Sequence, residues 1–105
     1  MIKAKVLKEN GNYRSFSCEG HAEYDDPGKD IVCAAVSMLV INTANSLDSL
    51  TDNELKASDD GFIRWEFLGS CDDKGKLLMD SLILGLEEVE SKYGKNYFRL
   101  MIEEV

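Results

Sequence analysis

One stretch, Ile31 to about Leu50, constrains this chain more than any other. Its first half, with Ile31, Ala34, Ala35, Met38, Leu39 and Ile41 spread around a helical wheel, has almost no polar face. A helix apolar on every side is expected to be buried, so the rest of the chain must supply a sheet for it to cross. Asp30 precedes the run and suits the N-cap, because its carboxylate can accept from the free amides of a first turn. That puts Ile31 at the first helical position and Cys33 at the third. Polar residues enter near Asn42, Asn45 and Asp48, and Thr51-Asp52-Asn53 ends the helix. The near-apolar part, Ile31 to Ile41, is far shorter than a membrane span, and no membrane association is expected.

The remaining segments provide the sheet. Ile2, Ala4 and Val6 alternate with Lys3, Lys5 and Leu7, the pattern of a half-buried strand. Asn10-Gly11 is a two-residue hairpin signal. A second strand runs from Tyr13 to about Ala22, with Phe16, Cys18, Gly20 and Ala22 toward the core and Tyr13, Ser15, Ser17, Glu19 and His21 away from it. On this alternation Cys18 is an inert core thiol, and His21 points away from its face unless a bulge at Gly20 re-aims it. Asp25-Asp26-Pro27-Gly28 is turn chemistry, and a mobile loop is expected over residues 23 to 29. A second hairpin, Glu54 to Ser58 and Phe62 to Leu68, turns at Asp59-Asp60-Gly61. A second helix is capped by Ser70 or Asp72, carries Leu78, Leu82, Gly85, Leu86, Val89 and Tyr93 at helical spacing, and stops at a left-handed Gly94. A last strand spans Tyr97 to Glu103. The order ββαββαβ predicts an α+β fold, a mixed or antiparallel sheet packed with two helices, the first long and buried.

At 105 residues the chain is one domain, 1–105, by size. The net charge of −8 lacks the basic footprint of a nucleic-acid binder. It suits a cationic partner drawn by long-range attraction. No secretory leader opens the sequence, which predicts a cytoplasmic protein. Three scattered cysteines and a single histidine provide neither a disulfide framework nor paired zinc ligands. No metal or cofactor is expected, and the cysteines are read as free thiols.

That histidine, His21, lies twelve positions before Cys33. A cysteine in a first helical turn meets unpaired amides and the positive dipole end, both of which favour the thiolate. An imidazole beside it would take up the thiol proton and later protonate a leaving amine. Free amides around Cys33 are candidate donors to a developing oxyanion. Asp30, Asp25 and Asp26 are candidates to orient the histidine, and Asp30 is also the cap. Ser37, one turn after Cys33, is placed to line the same pocket. The plain alternative is a core cysteine and an ordinary surface histidine. Trp65, Phe67 and Tyr24 are candidates for an aromatic pocket, although aromatics on strands are mostly core. Cys71 reads as incidental.

Gly20-His21-Ala22, the loop with Gly28, and Asp30-Ile31-Val32-Cys33-Ala34-Ala35-Val36-Ser37 together resemble the signature of the ribosomal-processing cysteine protease family, Prp, and the likeness runs through the whole chain. The resemblance implies a cysteine endopeptidase that removes a short N-terminal extension from the twenty-seventh protein of the large ribosomal subunit in certain bacteria, including Firmicutes. It implies Cys33 as nucleophile and His21 as general base and acid; Asp30 stays a candidate third residue, as orienter or helix cap. Gly20, Ala22, Gly28 and Ser37 are then expected to contact substrate, and the protein to be a homodimer. Two other readings use the same residues: a non-catalytic ribosome-associated binding module, and an acyl-transfer enzyme acting on a small thioester.

Overall fold

The alternating and helical patterns translate into seven elements in a computed structural model that describes residues 1–26, 29–59 and 62–105. They are β1 (Ile2–Glu9), β2 (Asn12–Glu19), α1 (Ile31–Leu50), β3 (Leu55–Ser58), β4 (Ile63–Phe67), α2 (Asp73–Tyr93) and β5 (Phe98–Glu104). The five strands form one mixed sheet in the order β3-β4-β2-β1-β5. All neighbours are antiparallel except β1 and β5, which run parallel. The expected ββαββαβ order is the observed one.

Asn10 and Gly11 take φ values of 54° and 78°, the geometry of a two-residue turn whose twist matches the strands it joins. Four residues further on the ladder slips. Leu7 pairs with Ser15 and Lys8 with Tyr13, leaving Arg14 as an extra residue. This bulge reverses the alternation. Tyr13, expected on the outer face, is therefore buried, and its hydroxyl is hydrogen-bonded to Asp80 of α2.

The core occupies one side of the sheet. Ile2, Ala4, Val6, Phe16, Trp65 and Phe98 meet α1 through Val32, Val36, Val40 and Leu47, and α2 through Met79, Leu82 and Leu86. Phe16 and Trp65 are cross-strand partners with ring centroids 4.7 Å apart. Trp65 and Phe67 are core residues.

Helix α1 is not buried all round. Only the stripe Val32, Val36, Val40, Thr43 and Leu47 faces the core, while Ile31 and Met38 are 51% and 64% exposed. Its length and mean hydropathy of 1.5 would suffice to cross a membrane; here the helix lays one side on the sheet, and among the described residues no layer covers its outer side. Asp72 caps α2, accepting from the Gly75 amide at 2.8 Å. Gly94 ends that helix with φ 95° and ψ 157°, a positive φ but not the left-handed helical pair that was expected. The second hairpin is shorter than expected by a residue or two, and Asp60 and Gly61 of its turn lie outside the described residues.

Strand β2 stops at Glu19, three residues short of the expected end. Gly20 follows with φ 94°, and a Cβ there would sit 2.4 Å from the Met1 carbonyl oxygen. No side chain fits that gap, and the φ is one that L residues rarely adopt. Gly20→Ala is expected to lower stability by about 1–3 kcal/mol, read as a reduced urea midpoint with an unchanged m-value.

Candidate active site

The residues after Gly20 leave the sheet and pass across the start of α1. Ala22 is buried, and its amide donates to Cys33 Sγ at 3.3 Å. His21, one residue earlier, is solvent-exposed. The strand-alternation argument does not govern it, because the strand has ended and the backbone has turned at Gly20.

Asp30 holds this arrangement together. Its Oδ1 accepts from the Val32 and Cys33 amides, each at 3.0 Å. Its Oδ2 accepts from Tyr24 at 2.9 Å and Asp25 at 3.5 Å. One carboxylate thus caps α1 and pins the loop to it. Desolvation pushes the Asp30 carboxyl up, but hydrogen bonds from the amides of Cys33, Tyr24, Asp25 and Val32 outweigh it and hold the group below the usual carboxylate range. The Tyr24 ring packs edge-on against Tyr93 and Tyr97, with centroids 5.6 Å and 5.0 Å away. The described near half of the loop is therefore anchored at two points.

These bonds correct the expectation that amides of the first turn stand ready for an oxyanion. Those of Val32 and Cys33 serve the Asp30 side chain, and that of Ala34 donates to the Asp30 carbonyl at 3.1 Å. The amide aimed at the sulfur comes from Ala22 instead, a main-chain contact between residues eleven apart that no side-chain pattern encodes.

Two depressions meet at Cys33 and His21, which line both. The wider, about 660 Å³, is walled by Glu23, Asp25, Asp26 and Asp30. The narrower, about 200 Å³, is mostly apolar, with Ile2, Val36, Val40, Phe62 and Ile63 on its walls. Gly20 and Ser37 also border the narrower one, as do Cys18 and the acidic Glu19. Of the expected site residues, then, Cys33, His21, Asp30, Gly20, Ala22 and Ser37 gather around the helix start, and Gly28 lies outside the described residues.

Cys18 is less buried than expected. It is half-buried rather than sealed in the core, and it shares a wall with Cys33. Burial, followed by the charges of Glu19 and Cys33, pushes its thiol up to about 11. Cys71 fits its reading as an incidental thiol, buried ahead of α2 and pushed up to about 11, mainly by burial. Among the described residues no group of three or more His, Cys, Asp and Glu side chains is disposed to hold a metal ion.

A thiol in the first turn of a helix, touched by a main-chain amide and bordered by an exposed imidazole, is a frame for cysteine hydrolase chemistry. The family model of cysteine protease Prp matches residues 1–98, and the chain belongs to that family. A ribosomal processing cysteine protease Prp of Bacillus subtilis is 32% identical over 104 residues, covering 91% of this chain and 93% of its own. Its counterpart in Staphylococcus aureus is 24% identical over 94 residues, covering 87% of this chain and 89% of its own. The fold matches a crystal structure of an essential ribosomal processing protease Prp from S. aureus with a covalently linked product peptide. That match has a TM-score of 0.90 at 24% identity, covering 97% of this chain and 99% of that one. A second S. aureus structure, with a substrate peptide, gives 0.84 at 24% identity, with the same coverage.

Removing the Asp30 carboxylate should loosen the helix start and the loop together. In Asp30→Ala, hydrogen exchange at the Tyr24, Val32 and Cys33 amides should rise roughly tenfold or more. Peptide cleavage should fall roughly 10- to 100-fold as Cys33 loses its placement. The pH dependence has a definite sign. A carboxyl held low in the folded state stabilises it fully above the ordinary carboxylate range, and that contribution is lost as pH falls through the lowered folded value. Protection of these amides should accordingly begin to fall as pH drops into the ordinary carboxylate range and reach its floor only below the lowered folded value.

Proposed function

We propose that this protein is a cysteine endopeptidase that removes the short N-terminal extension of a bacterial large-subunit ribosomal protein, with Cys33 as nucleophile and His21 as general base and acid. The observation that carries the reading is the Ala22 amide on Cys33 Sγ. It holds the His21-Ala22 peptide against the start of α1, so the imidazole and the thiol border the same space. In the reaction His21 takes the Cys33 proton, and the sulfur attacks the scissile carbonyl carbon. The tetrahedral intermediate collapses as His21 returns that proton to the leaving amine. Water, deprotonated by His21, then hydrolyses the thioester and frees Cys33. The Ala22 N–H supports negative charge on the sulfur at the start and end of the cycle. Asp30 builds the site through main-chain amides.

The two depressions support a substrate of matching character. An extended peptide crossing Cys33 places an apolar side chain in the narrower hollow and a basic segment along the carboxylates of the wider one. A basic ribosomal protein has that second property, and the chain's net charge of −8 favours its approach. The same reading has the protein act in the cytoplasm as a homodimer, without metal or cofactor.

The test is cleavage of a peptide spanning the extension. Cys33→Ala should abolish cleavage, and His21→Ala should reduce it by roughly a thousandfold. Unchanged cleavage in either variant overturns the assignment. Iodoacetamide should label Cys33 near pH 6 at least roughly tenfold faster in the wild type than in His21→Ala; equal rates would favour a non-catalytic binding module. Neutralising the wider depression with Asp25→Asn and Asp26→Asn should raise KM roughly three- to tenfold with little change in kcat, and should flatten the salt dependence of kcat/KM.

A further inference from the structure

We infer that Cys18 is a resolving thiol for Cys33, so that mild oxidation by a peroxide stores the nucleophile as a reversible Cys18–Cys33 disulfide. The inference rests on Cys33 being the reactive thiol, as proposed above, and adds a second residue to its chemistry. Cys18 belongs near the end of β2 and Cys33 to the first turn of α1, yet both line the narrower hollow. That hollow is small, about 200 Å³, room for roughly seven waters. The third cysteine, Cys71, lies outside it, buried beside Gly75 and ahead of α2.

The two thiols have unequal surroundings. Cys33 lines the wider, open depression as well as the narrow one and receives the Ala22 amide. Cys18 is half-buried in the narrow hollow only, and burial, then the charges of Glu19 and Cys33, keep it protonated at neutral pH. Peroxide therefore meets Cys33 first. Its sulfur attacks one peroxide oxygen, an S–O bond forms, the O–O bond breaks, and the departing hydroxide leaves as water after taking a proton. Cys33 is oxidised by two electrons to the sulfenic acid and the peroxide is reduced. The Cys18 sulfur then attacks the Cys33 sulfur: an S–S bond forms, the S–O bond breaks, and the Cys18 proton leaves with the hydroxide as a second water. A thiol reductant returns both cysteines to their starting state. Without a partner, Cys33 continues to the sulfinic and sulfonic acids, which reductant does not reverse.

The experiment treats the full chain with hydrogen peroxide, follows peptide cleavage relative to each variant's own untreated rate, and maps the cysteines by mass spectrometry. Trypsin cuts after Arg14, Lys29 and Lys56, which places Cys18 in peptide 15–29 and Cys33 in peptide 30–56. Oxidised wild type should yield these two peptides linked, about 2 Da below their sum, and dithiothreitol should restore most of the rate. Cys18→Ser should instead gain about 32 or 48 Da on peptide 30–56 and recover roughly tenfold less activity. Cys71→Ala should behave as wild type. Wild-type Cys33 appearing as sulfinic acid while Cys18 stays a free thiol, or a Cys33–Cys71 link, overturns the inference, and the wild-type map decides this even if Cys18→Ser does not fold. A linked pair in a protein without cleavage would sink the protease reading and leave this one standing. Cleavage with no link would do the reverse.

Discussion

A single carboxylate sets the geometry on which the site depends. Asp30 accepts four main-chain amides, two from the first turn of α1 and two from the loop before it. Either pair alone would be an ordinary cap or an ordinary loop contact. Held by the same side chain, they fix the segment that carries His21 and Ala22 relative to the turn that carries Cys33. The Ala22 amide on the sulfur completes the join. The arrangement also redistributes donors. A helix start is usually described as a supply of free amides, but here Asp30 has taken those of Val32 and Cys33, and the sulfur is served from outside the helix.

The sheet provides the platform for this join. β1 sits between β2 and β5 and contributes only small or medium side chains, Ile2, Ala4 and Val6, to the core. That leaves depth for Trp65, Phe16 and Phe98 from the neighbouring strands to meet both helices. Gly20 then marks where the chain leaves the plane. With its backbone against the Met1 carbonyl, the end of β2 is sealed against the start of β1, and the next residues have one way to go, over α1.

Carboxylates crowd the wider side of the Cys33–His21 junction. Glu23, Asp25, Asp26 and Asp30 line the wider depression, while in the narrower one Glu19 stands among Ile2, Val36 and Ile63. A wall with several carboxylates favours a basic segment over an acidic one. The family to which the chain belongs acts on peptide bonds.

The sequence by itself determined the element order, the sheet-plus-two-helices class, Asp30 as the cap of α1, and Cys33 with His21 as the residues to watch. Those features rest on local patterns: alternation, helical spacing, turn residues, and a capping side chain two and three residues from the amides it serves. The tertiary structure decided what local periodicity cannot. The bulge at Arg14 turned Tyr13 inward, because register is settled by pairing with β1. The outer side of α1 stayed exposed despite its apolar residues, because both helices share one face of the sheet. Cys18 moved from an inert core thiol to a wall shared with Cys33, because the strand ended at Glu19 and Gly20 folded the chain back. The Ala22 amide reached the sulfur across eleven residues. Each depends on contacts between segments distant in the chain, which local periodicity does not encode; Gly20 alone marked in advance where the chain could turn.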